Sequence, residues 1–392
     1  MGNYDYNWSN NRSDIYISNI DEILTKLRRI RIKEPKDKIE TNNNGNIINK
    51  EIKPRGLNNI GSTCYMNSVL QCFYHVYDLS NELLNYGLKN IFTKAIISKM
   101  PMTRALLDVI FELSFGENKS MSPYIFKEII SKNESFRKWE ANDSKTLALY
   151  VLDTLNRELN ENKIKTQNIN LVCKIRTYKG KETESIVTQF NRGYNTLIGD
   201  LFHGLKMTDY ICLSCNNSVK VYQMFNIINC SVEKTFINKY GINQIKKVNQ
   251  LKISILDCLK EDTKPNFFKG NNKLYCEKCD KSVDGKSNNK ICISPKILIL
   301  FLDRGINNRF MCDVNFAEVI DINEFLEIKG KKYNLIGVIE RLGPSGQNGH
   351  FIANCKHFDG NWYIFSDSTI KTTQKVYKKY GIPYLLFYRR ED

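Results

Sequence analysis

Gly56-Leu57-Asn58-Asn59-Ile60-Gly61-Ser62-Thr63-Cys64-Tyr65-Met66-Asn67-Ser68-Val69-Leu70-Gln71 is the stretch whose reading decides the fold. Asn, Gly, Ser and Thr make up most of its first half, the residues of a loop. From Tyr65 onward the apolar residues Tyr65, Met66, Val69, Leu70, Phe73 and Val76 recur at helical spacing. Ser62 or Thr63 can cap that helix. The Cys64 thiol then stands at a helix N-terminus, where free backbone N–H groups and the helix dipole favour a thiolate. A thiolate is the nucleophile of a cysteine hydrolase. Asn59, just upstream, can turn its side-chain amide toward the same point and stabilise an oxyanion. A lone cysteine is more often a small buried hydrophobe at the start of a core helix, so the thiol needs a base before chemistry is assigned to it.

Four histidines are available: His75, His203, His350 and His357. His75 lies on the same helix as Cys64, and at about 1.5 Å rise per residue it is roughly 16 Å away, too far to take the thiol proton. His203 precedes a cysteine pair. His350 and His357 share a late strand region and are an odd number of residues apart, so in an unbulged strand they face opposite sides. The flexible run Leu342-Gly343-Pro344-Ser345-Gly346-Gln347-Asn348-Gly349 leads into His350, and a histidine where such a loop meets a strand suits a base that must reach a substrate. His357 is read as structural or exposed.

The first stretch resembles the cysteine box of the ubiquitin-specific proteases, a family of papain-like deubiquitinating enzymes. Gly349-His350-Phe351, with Trp362-Tyr363-Ile364-Phe365-Ser366-Asp367-Ser368, resembles that family's histidine box. The resemblance runs over about residues 54 to 390, weakly at 85–140, 161–195 and 231–270. It implies that Cys64 is the nucleophile, His350 the base and Asn59 an oxyanion donor. Most members place Asp or Asn after the aromatic of the last strand. Here Ser366 stands there, and Asp367 follows. A hydroxyl can orient the imidazole but stabilises its cation less than a carboxylate does; either Ser366 or Asp367 can fill the role. Asp143, before a helical stripe from Leu147 to Leu155, resembles the family's glutamine-aspartate box, with Asn142 and Thr146 as departures. The resemblance implies that Asp143 helps hold the basic tail of ubiquitin, and a helix N-cap is an equally good physical role for it. Gly349 and the 342–349 loop are expected to border the narrow cleft that a diglycine end requires.

Cys212-Leu213-Ser214-Cys215 and Cys276-Glu277-Lys278-Cys279 are two CxxC pairs about sixty residues apart. Each pair can place two thiolates on one tetrahedral zinc, so two hairpins are expected to meet at the metal. Four sulfurs leave no open position, so the zinc is structural. In the resembling family such pairs sit at the tips of β-stranded fingers. No hydrophobic leader is read at the start of the chain, and a reducing intracellular compartment, cytoplasmic or nuclear, is the expectation. The other seven cysteines, Cys72, Cys173, Cys230, Cys258, Cys292, Cys312 and Cys355, read as reduced core or surface thiols.

The chain has 392 residues, 42% of them hydrophobic, enough for one large domain or a core with subdomains. No apolar run reaches membrane-helix length. The longest, Ile297-Leu298-Ile299-Leu300-Phe301-Leu302, reads as a buried strand. Residues 1–53 are Asn- and Lys-rich, with a basic helix expected from about Ser13 to Ile32 and a polar linker over 41–50. The net charge of +16 comes with the Asn, Lys and Ile abundance of AT-rich coding, and no nucleic-acid motif accompanies it, so a nucleic-acid partner is not expected. The expected fold is α+β: a papain-like core with a helical thumb (about 54–195), zinc-bearing β fingers (about 196–290) and a β-rich palm (about 291–392). The expected function is a thiol-dependent deubiquitinase that cleaves after the C-terminal glycine of ubiquitin, with ubiquitin and ubiquitinated proteins as partners. The alternatives are an inactive ubiquitin-binding scaffold and a protease for a ubiquitin-like modifier. Oligomeric state is not read from the sequence.

Overall fold

A computed structural model describes residues 52–86, 99–160, 173–176, 196–305, 309–327, 329–343, 349–375 and 377–391. The basic helix and linker expected within residues 1–50 lie outside the described residues, as do positions 344–348 of the loop before His350. Six helices form the first region: α1 (Cys64–His75), α2 (Tyr77–Tyr86), α3 (Pro101–Phe115), α4 (Tyr124–Ile130), α5 (Ser144–Leu159) and α6 (Leu197–Phe202). Two more, α7 (Val232–Tyr240) and α8 (Ile255–Thr263), come later.

Ten longer strands carry the rest: β1 (Gly204–Cys212), β2 (Ser218–Phe225), β3 (Ile227–Ser231), β4 (Gly285–Ile293), β5 (Ile297–Asp303), β6 (Tyr333–Leu342), β7 (His350–Lys356), β8 (Trp362–Ser366), β9 (Thr369–Gln374) and β10 (Ile382–Arg390). The large sheet runs β9-β8-β7-β6-β10-β5-β3, with Val319–Ile320 paired to β6. Its neighbours are antiparallel except β5 and β3, which are parallel. The finger sheet is ordered Cys173–Arg176, β2, β1, β4, Asn266–Phe268.

The apolar run of β5 has no polar alternation because both faces of the large sheet are covered. Ile297 and Ile299 join Leu385 and Phe387 of β10 in a core shared with α1, α3 and α5. Leu298, Leu300 and Leu302 join Leu386 and Tyr388 in a second core beneath α7 and α8. Period two along each strand thus divides one sheet between two cores. The sequence range 196–290 is accordingly mixed in space. Residues 227–231 form the parallel edge of the large sheet, α7 and α8 pack on its second face, and Cys173–Arg176 joins the fingers from the helical range. Among the described residues no helix is long and apolar enough to cross a membrane.

Candidate active site

Cys64 is the first residue of α1 and is 7% exposed. The expected cap is built differently. Thr63 occupies the N-cap but makes no side-chain capping bond. Its hydroxyl instead accepts from Ile60 N at 3.1 Å. Asn59 Oδ1 takes the N–H groups of Gly61 (3.2 Å) and Thr63 (3.1 Å). The loop is therefore folded around the Asn59 side chain, with Ser62 at φ +50° and the Trp139 ring packed against Gly61 from outside.

Burial pushes the Cys64 thiol above its ordinary pKa, and the charge of Asp367 adds to this. The N–H groups of Phe351, Tyr65 and Cys64 itself pull the other way. Phe351 follows His350 at the start of β7, so the first turn of α1 meets the strand that carries the expected base. His350 Nε2 is 2.9 Å from Ser366 Oγ, the last residue of β8. An imidazole that donates Nε2–H to a hydroxyl keeps its lone pair on Nδ1, the form a base requires.

Asp367 has a different set of partners. It sits at φ +52° in the tight turn between β8 and β9. Its Oδ2 accepts from Asn59 Nδ2 at 3.0 Å and its Oδ1 from Asn67 Nδ2 at 2.8 Å. Both carboxylate oxygens thus hold side-chain amides of the nucleophile segment. The same turn lies on Gly56, where a Cβ would meet Ser368 Cα at 2.7 Å, and Leu57 N donates to Asp367 O at 3.0 Å. Only glycine admits that approach of two backbones. The Asn59 amide has a second N–H beyond the one used by Asp367.

Asp143 caps α5: its Oδ1 accepts from Thr146 N at 2.7 Å and from Thr146 Oγ1 at 2.8 Å. Its Oδ2 takes the hydroxyl of Tyr384 from β10. The Tyr384 ring packs edge-on against Phe351 and Phe301. Asp143 therefore spans from the helical region to the sheet, one element away from His350. Tyr384 was missed in the sequence, where an aromatic in a strand reads as core. Gly349 packs on Arg341, whose guanidinium occupies the space that a Cβ would need. Asn67, Ser68 and Gln71, quoted in the sequence without a role, are buried braces.

The four expected metal ligands converge. The sulfurs of Cys212, Cys215, Cys276 and Cys279 all lie within 4.8 Å of one another. Cys212 and Cys279 are 4.0 Å apart and Cys215 and Cys276 3.6 Å. A tetrahedral site with Zn–S near 2.3 Å needs sulfurs about 3.8 Å apart, so this group can bind a zinc ion. Each knuckle turns back through a left-handed residue directly after its second cysteine, Asn216 (φ +56°) and Asp280 (φ +50°). His203, by contrast, is buried at the end of α6, where burial lowers it to about 4.

The profile of the ubiquitin carboxyl-terminal hydrolase family matches residues 55–388. Ubiquitin carboxyl-terminal hydrolase 2 of Bos taurus is 26% identical over 352 residues, covering 85% of this chain and 54% of the relative. Ubiquitin carboxyl-terminal hydrolase 25 of Arabidopsis thaliana is 27% identical over 353 residues, 86% of this chain and 48% of the relative. The chain thus spans about half the length of these curated relatives. Among solved structures, Ubp8 in the SAGA DUB module with Sgf11, Sus1 and Sgf73, bound to monoubiquitin, has a similar fold. The TM-score is 0.66 at 18% identity, over 100% of this chain and 77% of that one. That likeness gives the fold, the α+β architecture expected of a ubiquitin-specific protease. The profile, spanning most of the sequence, gives the kinship: the chain belongs to the ubiquitin carboxyl-terminal hydrolase family, in its ubiquitin-specific protease group.

Proposed function

We propose that the chain is a thiol-dependent deubiquitinase that hydrolyses the isopeptide bond after the C-terminal glycine of ubiquitin, on substrate proteins or on chains. The observation that carries this reading is the juxtaposition of the Cys64 thiol, at the head of α1, with the start of β7, where Ser366 braces His350. His350 Nδ1 takes the thiol proton, and the thiolate attacks the glycine carbonyl. The second N–H of Asn59 and the backbone N–H of Cys64 receive the oxyanion. His350 returns the proton to the lysine amine as the C–N bond breaks, then deprotonates a water that cleaves the thioester. Ser366 holds the tautomer, and Asp367 fixes Asn59. Asp143 and Gly349 border the path of the substrate tail, and Tyr384 must exchange its hold on Asp143 when that tail enters.

Cys212, Cys215, Cys276 and Cys279 hold a structural zinc in this reading, which cross-links the two finger hairpins and takes no part in the chemistry. Four zinc-binding thiolates must stay reduced, so this reading places the chain in a reducing intracellular compartment, cytoplasmic or nuclear. Reaction with a ubiquitin probe carrying a C-terminal electrophile tests the function. The expected result is one adduct, mapped to Cys64 and lost in His350→Ala. Labelling only by a probe built on a ubiquitin-like modifier would change the substrate. A folded, zinc-loaded chain that no probe labels would make it an inactive ubiquitin-binding scaffold.

A further inference from the structure

Trp139 is half exposed, yet the turn that carries it is fastened from several sides, and the chemistry at Cys64 has given it no part. Lys127 of α4 is fully buried. Its Nζ donates to Phe136 O at 2.7 Å and to Lys138 O at 3.0 Å, and it stands 5.3 Å from the centroid of the Trp139 ring. The ammonium group is thus met by two carbonyls and an aromatic face. Ser131 Oγ gives Phe136 O a second donor at 3.2 Å, and Asn142 Nδ2 closes the far end of the turn on Ser135 O. A buried lysine bonded in this way fixes the backbone of the turn, and with it the Trp139 ring.

The turn grips the nucleophile segment at two points. Inside, the buried Phe136 ring stacks on Tyr65, the residue after Cys64, with centroids 6.3 Å apart. Outside, Trp139 Cε3 lies 3.2 Å from where a Cβ of Gly61 would be. Between these points the loop passes through two successive left-handed residues, Gly61 (φ +126°) and Ser62 (φ +50°). Such a backbone persists only where its surroundings over-determine it. Asn59 Oδ1 ties the loop from within, through the N–H groups of Gly61 and Thr63. We propose that Trp139, held by Lys127, is a positioning residue that clasps this loop against Asn59 and so aims the second Asn59 N–H at the oxyanion. Without the ring the strained loop relaxes outward and its two bonds to Asn59 Oδ1 loosen. The amide is then held by Asp367 alone and loses its aim.

The proposal rests on the deubiquitinase reading, which supplies the oxyanion. Steady-state cleavage of a fluorogenic C-terminal amide of ubiquitin tests it. Loss of one oxyanion donor costs about 10²- to 10³-fold in kcat, so a displaced donor should cost part of that. Trp139→Ala is expected to lower kcat about tenfold at little-changed KM, and Trp139→Phe, which still covers Gly61, to stay within about twofold of the unaltered chain. In an Asn59→Ala chain the further change Trp139→Ala is expected to cost less than about twofold, because the two residues act as one unit. An unchanged kcat, or the same tenfold loss with and without Asn59, would overturn the proposal. A loss confined to KM would make Trp139 a substrate contact and overturn it too.

Deuterium uptake by the full chain without substrate tests the clasp apart from the chemistry. Trp139→Ala is expected to speed uptake at the Gly61 and Thr63 amides, read in a peptide covering 58–63, while β5, β6 and β10 keep their protection. Lys127→Met keeps the apolar stem and removes the donors, and is expected to speed uptake in the same peptide. Uptake at 58–63 unmoved by Trp139→Ala would overturn the clasp, and uptake unmoved by Lys127→Met would overturn the part given to Lys127. A chain that cleaves no ubiquitin substrate would sink the functional reading, while uptake at the loop would still decide whether Trp139 holds it.

Discussion

At the level of single residues, Ser366 and Asp367 divide two tasks that one sequence position suggested. Ser366 holds His350, and Asp367 holds Asn59 and Asn67. A hydroxyl orients the imidazole without stabilising its charge, so Ser366→Ala should cost less than the ~10⁴-fold loss seen when a triad carboxylate is altered. The expected loss is on the order of 10- to 100-fold in kcat at little-changed KM, read with a fluorogenic C-terminal amide of ubiquitin. Asp367→Asn acts elsewhere. It removes the negative charge that helps raise the Cys64 thiol, so the pH midpoint of Cys64 alkylation by iodoacetamide should move down. It also turns an NH₂ toward one of the two amides, and should lower stability by about 1 kcal/mol in urea unfolding. An unmoved alkylation midpoint would mean that the Asp367 charge does not reach the thiol.

At the level of elements, α1 does more than present a cysteine. Asn67, Gln71 and His75 recur every fourth residue and form a polar stripe on a helix buried along its whole length. The stripe reads the backbone of the segment that enters the domain. Asn67 Nδ2 donates to Leu57 O and Asn58 O at 3.2 Å, Gln71 Nε2 donates to Arg55 O at 2.8 Å, and His75 reaches Ile52 O through His357. A segment with little ladder pairing of its own thereby satisfies its carbonyls. Gln71→Leu keeps the volume but leaves Arg55 O without its donor, and should cost ~1–3 kcal/mol, visible as a lower urea midpoint. The helical period and the loop before Cys64 were legible in the sequence. The stripe was not recognised, because a buried amide and an exposed one look alike until the partner segment is placed.

At the level of the whole molecule, one sheet serves two cores, and the fingers extend from it as a sheet with small apolar clusters of its own, around Leu205 and Met207 and around Cys212, Cys276 and Val283. With so little buried apolar area at the tip, metal ligation is expected to hold the two knuckles together. Stripping metal with a chelator, or Cys276→Ser, should lower the melting temperature. It should also speed amide exchange in β1, β2 and β4 while β5, β6 and β10 keep their protection. Exchange that rises equally in all six strands would tie the metal to global rather than local stability.

What the sequence determined by itself was local and chemical. A loop-to-helix junction at Cys64, a histidine where a loop meets a strand, and two CxxC knuckles each write their chemistry within a few residues. The α+β class followed from periodicity and from the family resemblance those motifs carry. The tertiary structure decided everything that depends on partners far apart along the chain. Asp367 turned toward Asn59 and Asn67 rather than His350, and Asp143 met Tyr384 from the last strand. Residues 227–263 left the finger range for the large sheet and the helices on it. His75, too far from Cys64 to act as its base, became half of a buried pair. Side-chain type and spacing specify which bonds a residue can make, but only the packed chain brings one acceptor within 3 Å and excludes the others.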